Sequence, residues 1–290
     1  MAPWERRGLL IRNGSKGADW LAPALERLAA RGVRLADTPT DSCERACDAI
    51  RRSAPGDVVV VAGGDGTLNG VAPALLEAPR TLGILPLGTA NDLARTLGLP
   101  LDLSDACDVI AAGTTRRIDL GLANGRPFFN VASLGLSAEL AASLDSGAKH
   151  RFGRLSYALA ALRVLMHAKP FRAAIAAEGE VARTHTYQIA VGNGRYHGGG
   201  VAVSEDAEID DGRLVLYSLE PGSLWKVVAL APLFRRGRHL RWREVRTASG
   251  TELEIRTPSP MPVNLDGELA TDTPLALTVR PKAVEVFAPR

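Results

Sequence analysis

The fold of this chain is decided by residues 58–70, which read Val58-Val59-Val60-Val61-Ala62-Gly63-Gly64-Asp65-Gly66-Thr67-Leu68-Asn69-Gly70. The run of valines predicts a strand buried on both faces, because a parallel sheet covered by helices has no polar side with which to alternate. The strand leads into a glycine cluster, and Thr67 then opens an apolar helical pattern. This order is typical of an anion site, since unpaired N–H groups and the helix dipole favour phosphate at a helix N-terminus.

Asp65 distinguishes this loop from a simple phosphate loop. A carboxylate at this position would repel a phosphate directly. It therefore indicates contact with a nucleotide through Mg²⁺, or removal of a proton from an attacking hydroxyl. A glycine turn that merely connects strand to helix is the alternative, and the embedded acidic residue disfavours it.

The rest of the N-terminal part repeats the order of strand, turn and helix. Apolar runs at Gly8–Ile11 and Val33–Ala36 predict strands, and helical patterns cover Trp20–Ala30 and Cys43–Ile50. Strands that alternate with helices predict an α/β domain, in which helices cover both faces of a parallel sheet. Ligands of such sheets bind at the carboxyl ends of the strands.

A second loop follows the apolar strand Leu82–Leu85 and reads Gly88-Thr89-Ala90-Asn91-Asp92. Consecutive strand ends lie side by side in such a sheet, so we expect Asp65 and Asp92 to lie near each other. Helix capping is the alternative role for Asn91 and Asp92, because both residue types are strong N-caps.

The pattern changes after about Arg116 to short strands separated by turns, with Asn124-Gly125 as a hairpin turn. An alanine-rich helical segment, residues 137–167, interrupts them. So many strands predict a β-sandwich domain. We therefore expect an α/β domain over residues 1–115 and a β-rich domain over residues 116–279, with a tail, 280–290, free to pack back on the first. The predicted strands are Arg117–Leu120, Phe128–Val131, Ala173–Ala177, Thr186–Val191, Arg213–Leu219, Val245–Ile255 and Leu275–Val279.

Composition sets few limits on function. Lys and Arg exceed Asp and Glu by 35 − 32 = 3, which excludes no class of partner. The odd number of cysteines indicates a reducing compartment, and Cys43 and Cys47 are interpreted as small buried apolar residues. No apolar run is long enough for a membrane span. We therefore expect a cytoplasmic protein, and peripheral contact with the inner face of a membrane stays open.

One stretch, Phe234–Arg243, is strongly basic and carries two aromatic residues. A solvated basic surface is the slightly favoured interpretation, and adsorption to an anionic membrane is the functional one. The cations between Lys149 and Lys169 form a similar candidate. No recognised nucleic-acid motif accompanies either stretch, so no nucleic-acid partner is predicted.

Two acidic clusters stand in the second half. Asp206–Arg213 could bind a hard cation through side-chain and carbonyl oxygens, and an ordinary hairpin turn competes equally. Asn264–Glu268 could supply a general base if its loop reaches the crevice of the first domain. The sequence does not place it there.

Taken together, these motifs resemble those of the diacylglycerol kinase-like lipid kinase family, and within it those of the bacterial soluble diacylglycerol kinases and YegS-like lipid kinases. The likeness covers nearly the whole chain and keeps the family's order. The motifs are Gly63-Gly64-Asp65-Gly66-Thr67, Gly88-Thr89-Ala90-Asn91-Asp92-Leu93-Ala94, the Gly198–Gly200 triplet, Asp210-Asp211-Gly212 and Asp266-Gly267-Glu268.

The resemblance implies an N-terminal domain that holds ATP, a C-terminal β-sandwich and an active site between them. The implied activity is ATP- and Mg²⁺-dependent phosphorylation of a hydroxyl on diacylglycerol or a related glycerolipid or sphingoid lipid. An NAD kinase is the nearest enzymatic alternative, and the motif Gly88–Ala94 argues against it. A nucleotide-binding regulator without catalysis is the other alternative. The oligomeric state stays open, a homodimer included.

The resemblance also assigns roles to individual residues. Asp65 and Asp92 would organise Mg²⁺ and ATP, and Glu268 would accept the proton of the lipid hydroxyl with Asp266 beside it. A structural Mg²⁺ would be held by the Asp211 side chain and the carbonyls of Glu208 and Arg213. The implied nucleotide-binding residues are Asn13, Ser15, Thr40 (or Thr38 in its place), Gly63, Gly64, Asp65, Gly66, Thr67, Leu68, Asn69, Gly70, Gly88, Thr89 and Asn91.

The chain departs from the family pattern at two positions. Gly70 stands where relatives usually carry Glu, so the nucleotide loop has one carboxylate fewer. Asn13-Gly14-Ser15 lacks the proline that often follows this asparagine, so the first loop is expected to be looser.

Overall fold

The computed structural model describes residues 5–14, 17–139, 168–193, 196–197, 201–202, 208–220, 222 and 243–289. The chain divides into two compact units. Unit 1 comprises residues 1–120 together with 281–290, and unit 2 comprises residues 121–280. The strand Leu275–Phe287 therefore contributes its first residues to unit 2 and its last residues to unit 1.

Unit 1 contains a parallel sheet in the order β2-β1-β3-β4, and β4 then pairs with the end of β18. The strands are β1 (Arg6–Asn13), β2 (Val33–Thr40), β3 (Val58–Gly63), β4 (Thr81–Pro86) and β18 (Leu275–Phe287). The helices are α1 (Leu21–Ala29), α2 (Cys43–Arg52), α3 (Asp65–Glu77), α4 (Asp92–Thr96) and α5 (Leu103–Ala112).

All of β3 is buried, as its valine run predicts. Helix α1 packs against α5, and α2 packs against α3. Val60 of β3 lies in one core cluster with Leu28 of α1 and Ile110 of α5. Side chains alternate between the faces of a strand, so Val59 and Val61 face the opposite layer. The prediction of an α/β domain with two helical layers is confirmed.

Helix α3 begins at Asp65, and the prediction that it opens at Thr67 was wrong. Gly64 has an extended backbone and ends the strand, so the helix starts immediately after it. As a result Gly66 and Gly70 lie inside the helix and not in a loop. The turn between strand and helix is much shorter than the glycine cluster.

Unit 2 is a β-sandwich, as predicted. The first residues of β18 join one sheet in the order β18-β15-β8-β9, and a second sheet has the order β14-β13-β10-β7-β16-β17. Ile175 and Leu253 of the first sheet share a core cluster with Val191 and Leu216 of the second. The strands are β5 (Thr115–Ala123, shared with unit 1), β6 (Arg126–Phe128), β7 (Val131–Gly135), β8 (Phe171–Ala177), β9 (Glu180–Thr186), β10 (Gln188–Gly192), β11 (Tyr196–His197), β12 (Val201–Ala202), β13 (Leu214–Leu219), β14 (Val245–Gly250), β15 (Glu252–Arg256), β16 (Pro262–Leu265) and β17 (Glu268–Asp272).

The turn predicted at Asn124-Gly125 joins β5 and β6, with both residues at positive φ. Other predicted strands in unit 2 differ from the structure. The run Val245–Ile255 forms two strands in different sheets, and the run Thr186–Val191 contains the boundary between β9 and β10. At each break the chain passes from one sheet to the other, which the local sequence pattern does not show.

Several predicted features lie outside the described residues. They are most of the alanine-rich segment, the Gly198–Gly200 triplet and nearly all of the basic stretch Phe234–Arg243. In the part of the chain that is described, no helix is both long and apolar enough to cross a membrane.

Candidate functional site

Two glycines bring the loops after β3 and β4 into direct backbone contact. A Cβ placed on Gly88 would lie 2.5 Å from the Cα of Gly64, and a Cβ on Gly64 would lie 2.9 Å from the Cα of Gly88. The Leu87 N–H also donates to the Gly63 carbonyl at 3.0 Å. Any side chain at position 64 or 88 would therefore push the two loops apart.

Asn91 closes the second loop. Its Oδ1 accepts from the Gly88 N–H at 2.9 Å, and its Nδ2 donates to the Gly88 carbonyl at 3.0 Å. Its backbone is left-handed at φ 52°, a conformation that asparagine tolerates better than most residues. The side chain makes no capping bond to α4, so the alternative of helix capping is wrong for Asn91.

Asp65 links the two loops through its side chain. Its Oδ1 accepts from the backbone N–H of Leu93, in the first turn of α4, at 3.1 Å. Asp92 immediately precedes Leu93 and is buried. The expectation that the loops of Asp65 and Asp92 lie together is therefore confirmed.

The N-terminus of α3 lacks a side-chain cap. Its N-cap is Gly64, which has no side chain to accept from the first-turn N–H groups. Such N–H groups and the positive end of the helix dipole suit a phosphate. Leu68 is almost fully buried, so of the predicted nucleotide contacts it can offer only its backbone.

The first two strands, β1 and β2, end at the same edge of the sheet. Asn13 and Thr40 are paired in register at the ends of β1 and β2, and Gly14 N–H donates to the Thr40 carbonyl at 2.9 Å. The Thr38 hydroxyl bonds to the carbonyl of Ala36 two residues earlier. Thr89 lies in the loop after β4, and Ser15 lies outside the described residues.

Gly70 is explained by helix packing. A Cβ at this position would lie 2.3 Å from the Sγ of Cys43 and 3.1 Å from its Cβ. The Cys47 thiol donates to the Gly70 carbonyl at 3.1 Å, and burial raises the pKa of this thiol, which keeps it protonated. Cys47 is buried as predicted, but Cys43 is exposed because it begins α2 at the surface.

In unit 2, Asp266 anchors the turn between β16 and β17. Its Oδ2 accepts from Phe129 N–H at 2.7 Å, and its Oδ1 accepts from Asn130 and Val131 N–H at 3.0 and 2.8 Å. Asn264 Oδ1 accepts from Gly267 N–H at 2.9 Å and braces the same turn. A carboxylate has about four acceptor positions, and three of those on Asp266 are occupied by the backbone. This geometry fits a positioning residue better than a group that exchanges protons.

Glu268 differs from Asp266 although it is only two residues away. It is exposed at the start of β17, opposite Leu265 across the turn. Among the described residues its side chain has neither a hydrogen bond nor an ion pair. Its carboxylate therefore lies at the surface, in contrast to that of Asp266.

Asp211, at the predicted structural cation site, lies in a turn, and the site stays a prediction. Asp211 Oδ1 accepts from Arg213 N–H at 2.8 Å, and the Arg213 guanidinium pairs with Glu178 at 2.5 Å. Glu208 is exposed. Within the described ranges, His, Cys, Asp and Glu form no group of at least three that could hold a metal ion.

Comparison with known proteins covers almost the whole chain. A family model described as a diacylglycerol kinase catalytic domain matches residues 8–123. A second model, described as a YegS C-terminal NAD kinase beta sandwich-like domain, matches residues 130–288. The two matches correspond to the α/β part and to the β-sandwich.

Individual relatives match over similar lengths. A diacylglycerol kinase of Bacillus subtilis (strain 168) is 30% identical over 274 residues, which is 91% of this chain and 90% of the relative. A diacylglycerol kinase of Staphylococcus saprophyticus is 32% identical over 235 residues, 80% of this chain and 77% of the relative. A crystal structure from Bacillus anthracis str. Sterne, whose assignment as a diacylglycerol kinase is provisional, has a TM-score of 0.81 and 26% identity. The match covers 99% of this chain and 96% of the Bacillus anthracis chain.

Proposed function

This chain belongs to the diacylglycerol kinase family of lipid kinases, and we propose that it transfers the γ-phosphate of ATP to a hydroxyl of diacylglycerol or a related lipid. The observation that carries the proposal is the position of Asp65. This carboxylate stands at the uncapped N-terminus of α3 and is held there by the Leu93 N–H. A carboxylate beside a phosphate-binding helix end is useful when a cation lies between the two anions.

The residues present fit a bound nucleotide. Gly64 and Gly88 keep side chains away from the place where the two loops meet, and the N-cap residue Gly64 supplies no side-chain acceptor to the first-turn N–H groups of α3. Asn13 and Thr40, at the ends of neighbouring strands, would contribute polar contacts to the same nucleotide.

The residues also fit Mg²⁺. Proteins usually hold this ion with one or two carboxylates together with phosphates and water, and Asp65 and Asp92 are two such carboxylates. When bound, Mg²⁺ would neutralise charge on the phosphates during transfer. Asp65 contacts Leu93 through one oxygen, and its other oxygen has no hydrogen bond to any residue that the structure describes.

Glu268 is the proposed proton acceptor. As the lipid oxygen bonds to the γ-phosphorus and the bond from phosphorus to the leaving oxygen of ADP breaks, the hydroxyl proton passes to the Glu268 carboxylate. Asp266 does not exchange protons in this scheme. It holds the turn that presents Glu268, through its three bonds to residues 129–131.

The test of this function is transfer of label from [γ-³²P]ATP to a panel of diacylglycerol, phosphatidylglycerol, ceramide and NAD. We expect label in one of the lipids and loss of that label when Mg²⁺ is chelated. Label in NAD alone would identify an NAD kinase. Label in no acceptor would favour a nucleotide-binding regulator, and either result would overturn the proposal.

The roles of single residues are tested with Glu268→Gln and Asp65→Asn. Each should lower kcat by about a thousandfold, because general-base and charge-positioning groups contribute on that order. Circular dichroism and urea denaturation should show an intact fold. Glu252→Gln removes a similarly exposed carboxylate from β15 and should keep full activity. Normal transfer by either test variant would refute the role given to that residue.

A further inference from the structure

The segment that Asp266 holds, residues 129–131, is held from its other side by Asn193. This residue follows the last residue of β10 and is only 2% exposed. Its backbone N–H donates to the Asn130 carbonyl at 2.9 Å, and its Nδ2 donates to the Phe129 carbonyl at 2.9 Å. Strand β7 lies between β10 and β16 in the second sheet, so its first residues have Asn193 on one side and Asp266 on the other.

Two successive peptide groups join Asn193 to Asp266. The first lies between Phe129 and Asn130, and the second lies between Asn130 and Val131. In the first, the carbonyl accepts from Asn193 Nδ2 and the N–H donates to Asp266 Oδ1 at 3.0 Å. In the second, the carbonyl accepts from the Asn193 N–H and the N–H donates to the same Asp266 oxygen at 2.8 Å. Each peptide group therefore carries a hydrogen-bond chain that begins at Asn193 and ends at Asp266.

The chains strengthen the hold on Asp266. A carbonyl that accepts a hydrogen bond polarises its peptide group, which makes the N–H of that group a stronger donor. Phe129 and Asn193 are both almost fully buried, so water cannot replace a lost Nδ2 donor unless the segment rearranges. Asn193 thus fixes the direction in which two peptide N–H groups point at the Asp266 carboxylate.

Asp266 transmits this hold to Glu268. The two residues belong to one short turn between β16 and β17. The Asp266 N–H also donates to the Val131 carbonyl at 3.0 Å, so the turn and the segment 129–131 are bonded in both directions. A tilt of the two peptide groups would therefore displace the turn and the Glu268 side chain with it.

We propose that Asn193 is a further positioning residue of the transfer reaction, which keeps the Glu268 carboxylate where it takes the proton of the lipid hydroxyl. The inference rests on the proposed function, in which Glu268 is the proton acceptor. Asn193 itself does not touch the reacting atoms in this scheme. It acts through residues 129–131 and Asp266.

A double-mutant cycle with Glu268 separates positioning from a purely structural role. Asn193→Ala removes the Nδ2 donor and keeps the backbone N–H. It should lower kcat for lipid phosphorylation by about 100-fold, because a displacement of about 1 Å near the reacting atoms has an effect of that order. In the Glu268→Gln background, which has already lost the proton acceptor, the same substitution should change kcat by less than about twofold.

The KM for ATP gives a second, independent measurement. We place the nucleotide in unit 1, whereas Asn193 and the turn that it holds belong to unit 2. Asn193→Ala should therefore leave the KM for ATP at the wild-type value while kcat falls.

Thr186→Val is the matched control for loss of stability. Thr186 is also fully buried in unit 2, and its hydroxyl donates to the Leu219 carbonyl at 2.7 Å. It precedes β10, whereas Asn193 follows it, so the two residues lie at opposite ends of this strand. We expect Thr186→Val to lower the urea midpoint about as much as Asn193→Ala does and to keep the wild-type kcat.

Hydrogen exchange of the full chain shows whether the turn itself is loosened. In Asn193→Ala, the amides of residues 129–131 and 266–268 should exchange about tenfold faster than in wild type, which is the effect of losing roughly one hydrogen bond. In Thr186→Val, the same amides should exchange at the wild-type rate.

Four results would overturn the inference and leave the proposed function standing. Asn193→Ala could keep the wild-type kcat. It could lower kcat equally in the wild-type and Glu268→Gln backgrounds, which would mean that it does not act through Glu268. Thr186→Val could lose as much kcat as Asn193→Ala, or the two variants could show the same exchange rates at the turn. A wild-type chain that transfers label to no lipid would instead refute the proposed function and this inference together.

Discussion

The paired loops of unit 1 and the Asp266 turn of unit 2 are held in two different ways. In unit 1, Gly64 and Gly88 let two backbones touch, so the contact depends on the absence of side chains. In unit 2, the Asp266 carboxylate reaches the N–H groups of residues 129–131, so the contact depends on one charged side chain. Each kind of contact holds a short turn next to an acidic residue that we assign to the reaction, Asp65 in unit 1 and Glu268 in unit 2.

The comparison teaches that similar motifs give their carboxylates different tasks. Gly64-Asp65-Gly66 and Asp266-Gly267-Glu268 both combine glycine with acidic residues. Asp65 gives one oxygen to a single backbone N–H, whereas Asp266 accepts three. The number of acceptor positions already used therefore separates a carboxylate that can bind a ligand from one that holds the fold.

Replacing Asp266 should have the largest effect on stability. Asp266→Ala leaves three backbone donors without their acceptor, and we expect it to lower the free energy of unfolding by about 3–5 kcal/mol. Asp266 has a left-handed backbone at φ 49°, which asparagine also tolerates. Asp266→Asn keeps one acceptor oxygen, so it should cost about half as much. Urea denaturation measures both. Asp272→Ala, on the exposed end of the same hairpin, should be nearly neutral. If Asp266→Asn left the free energy of unfolding unchanged, the hydrogen bonds of Asp266 would contribute little to stability. The contrast drawn here between the two turns would then be wrong.

Gly88→Ala should have the next largest effect and lower the free energy of unfolding by about 2–3 kcal/mol. The reason is that the new Cβ meets the Gly64 backbone, which cannot rotate away. The same variant should weaken ATP binding by displacing the N-terminus of α3, as isothermal calorimetry can measure. Gly17→Ala is the matched control, since nothing lies within 4 Å of a Cβ at that position. Equal stability of the two variants would mean that the loops do not need to touch.

Gly70→Ala should have the smallest effect and lower the free energy of unfolding by about 1 kcal/mol. Its Cβ meets the Cys43 thiol, which can turn towards solvent. Cys43→Ala in the same chain should recover most of that loss, and a double-mutant cycle in urea gives the coupling. If Gly70→Ala proved as costly as Gly88→Ala, the difference between side-chain and backbone obstruction would have no energetic meaning here.

Part of the site was predictable from local pattern. The valine run and the glycines after it predicted β3 and its turn, and the order of strands and helices placed Asp65 near Asp92. The start of α3 was misplaced by two residues because glycines usually indicate a longer loop. The hairpin of β16 and β17 was missed because prolines and acidic residues hide its alternation.

Contacts between distant segments could not be predicted in this way. No pattern near Gly70 indicates that Cys43 will pack against it, and none near Phe129 indicates that its N–H will donate to Asp266. Likewise, Arg172, Arg183 and Arg256 lie on three different strands, and only the register makes them neighbours.

The sequence by itself determined the class of each half and the residues able to carry phosphate-transfer chemistry, because strand burial, glycine turns and acidic motifs are local properties of the chain. The tertiary structure decided which carboxylates are occupied and which are available, and why position 70 is glycine. The physical reason is that hydrogen bonds such as those of Asp266, and steric contacts such as those of Gly88, depend on segments that only folding brings within a few ångströms.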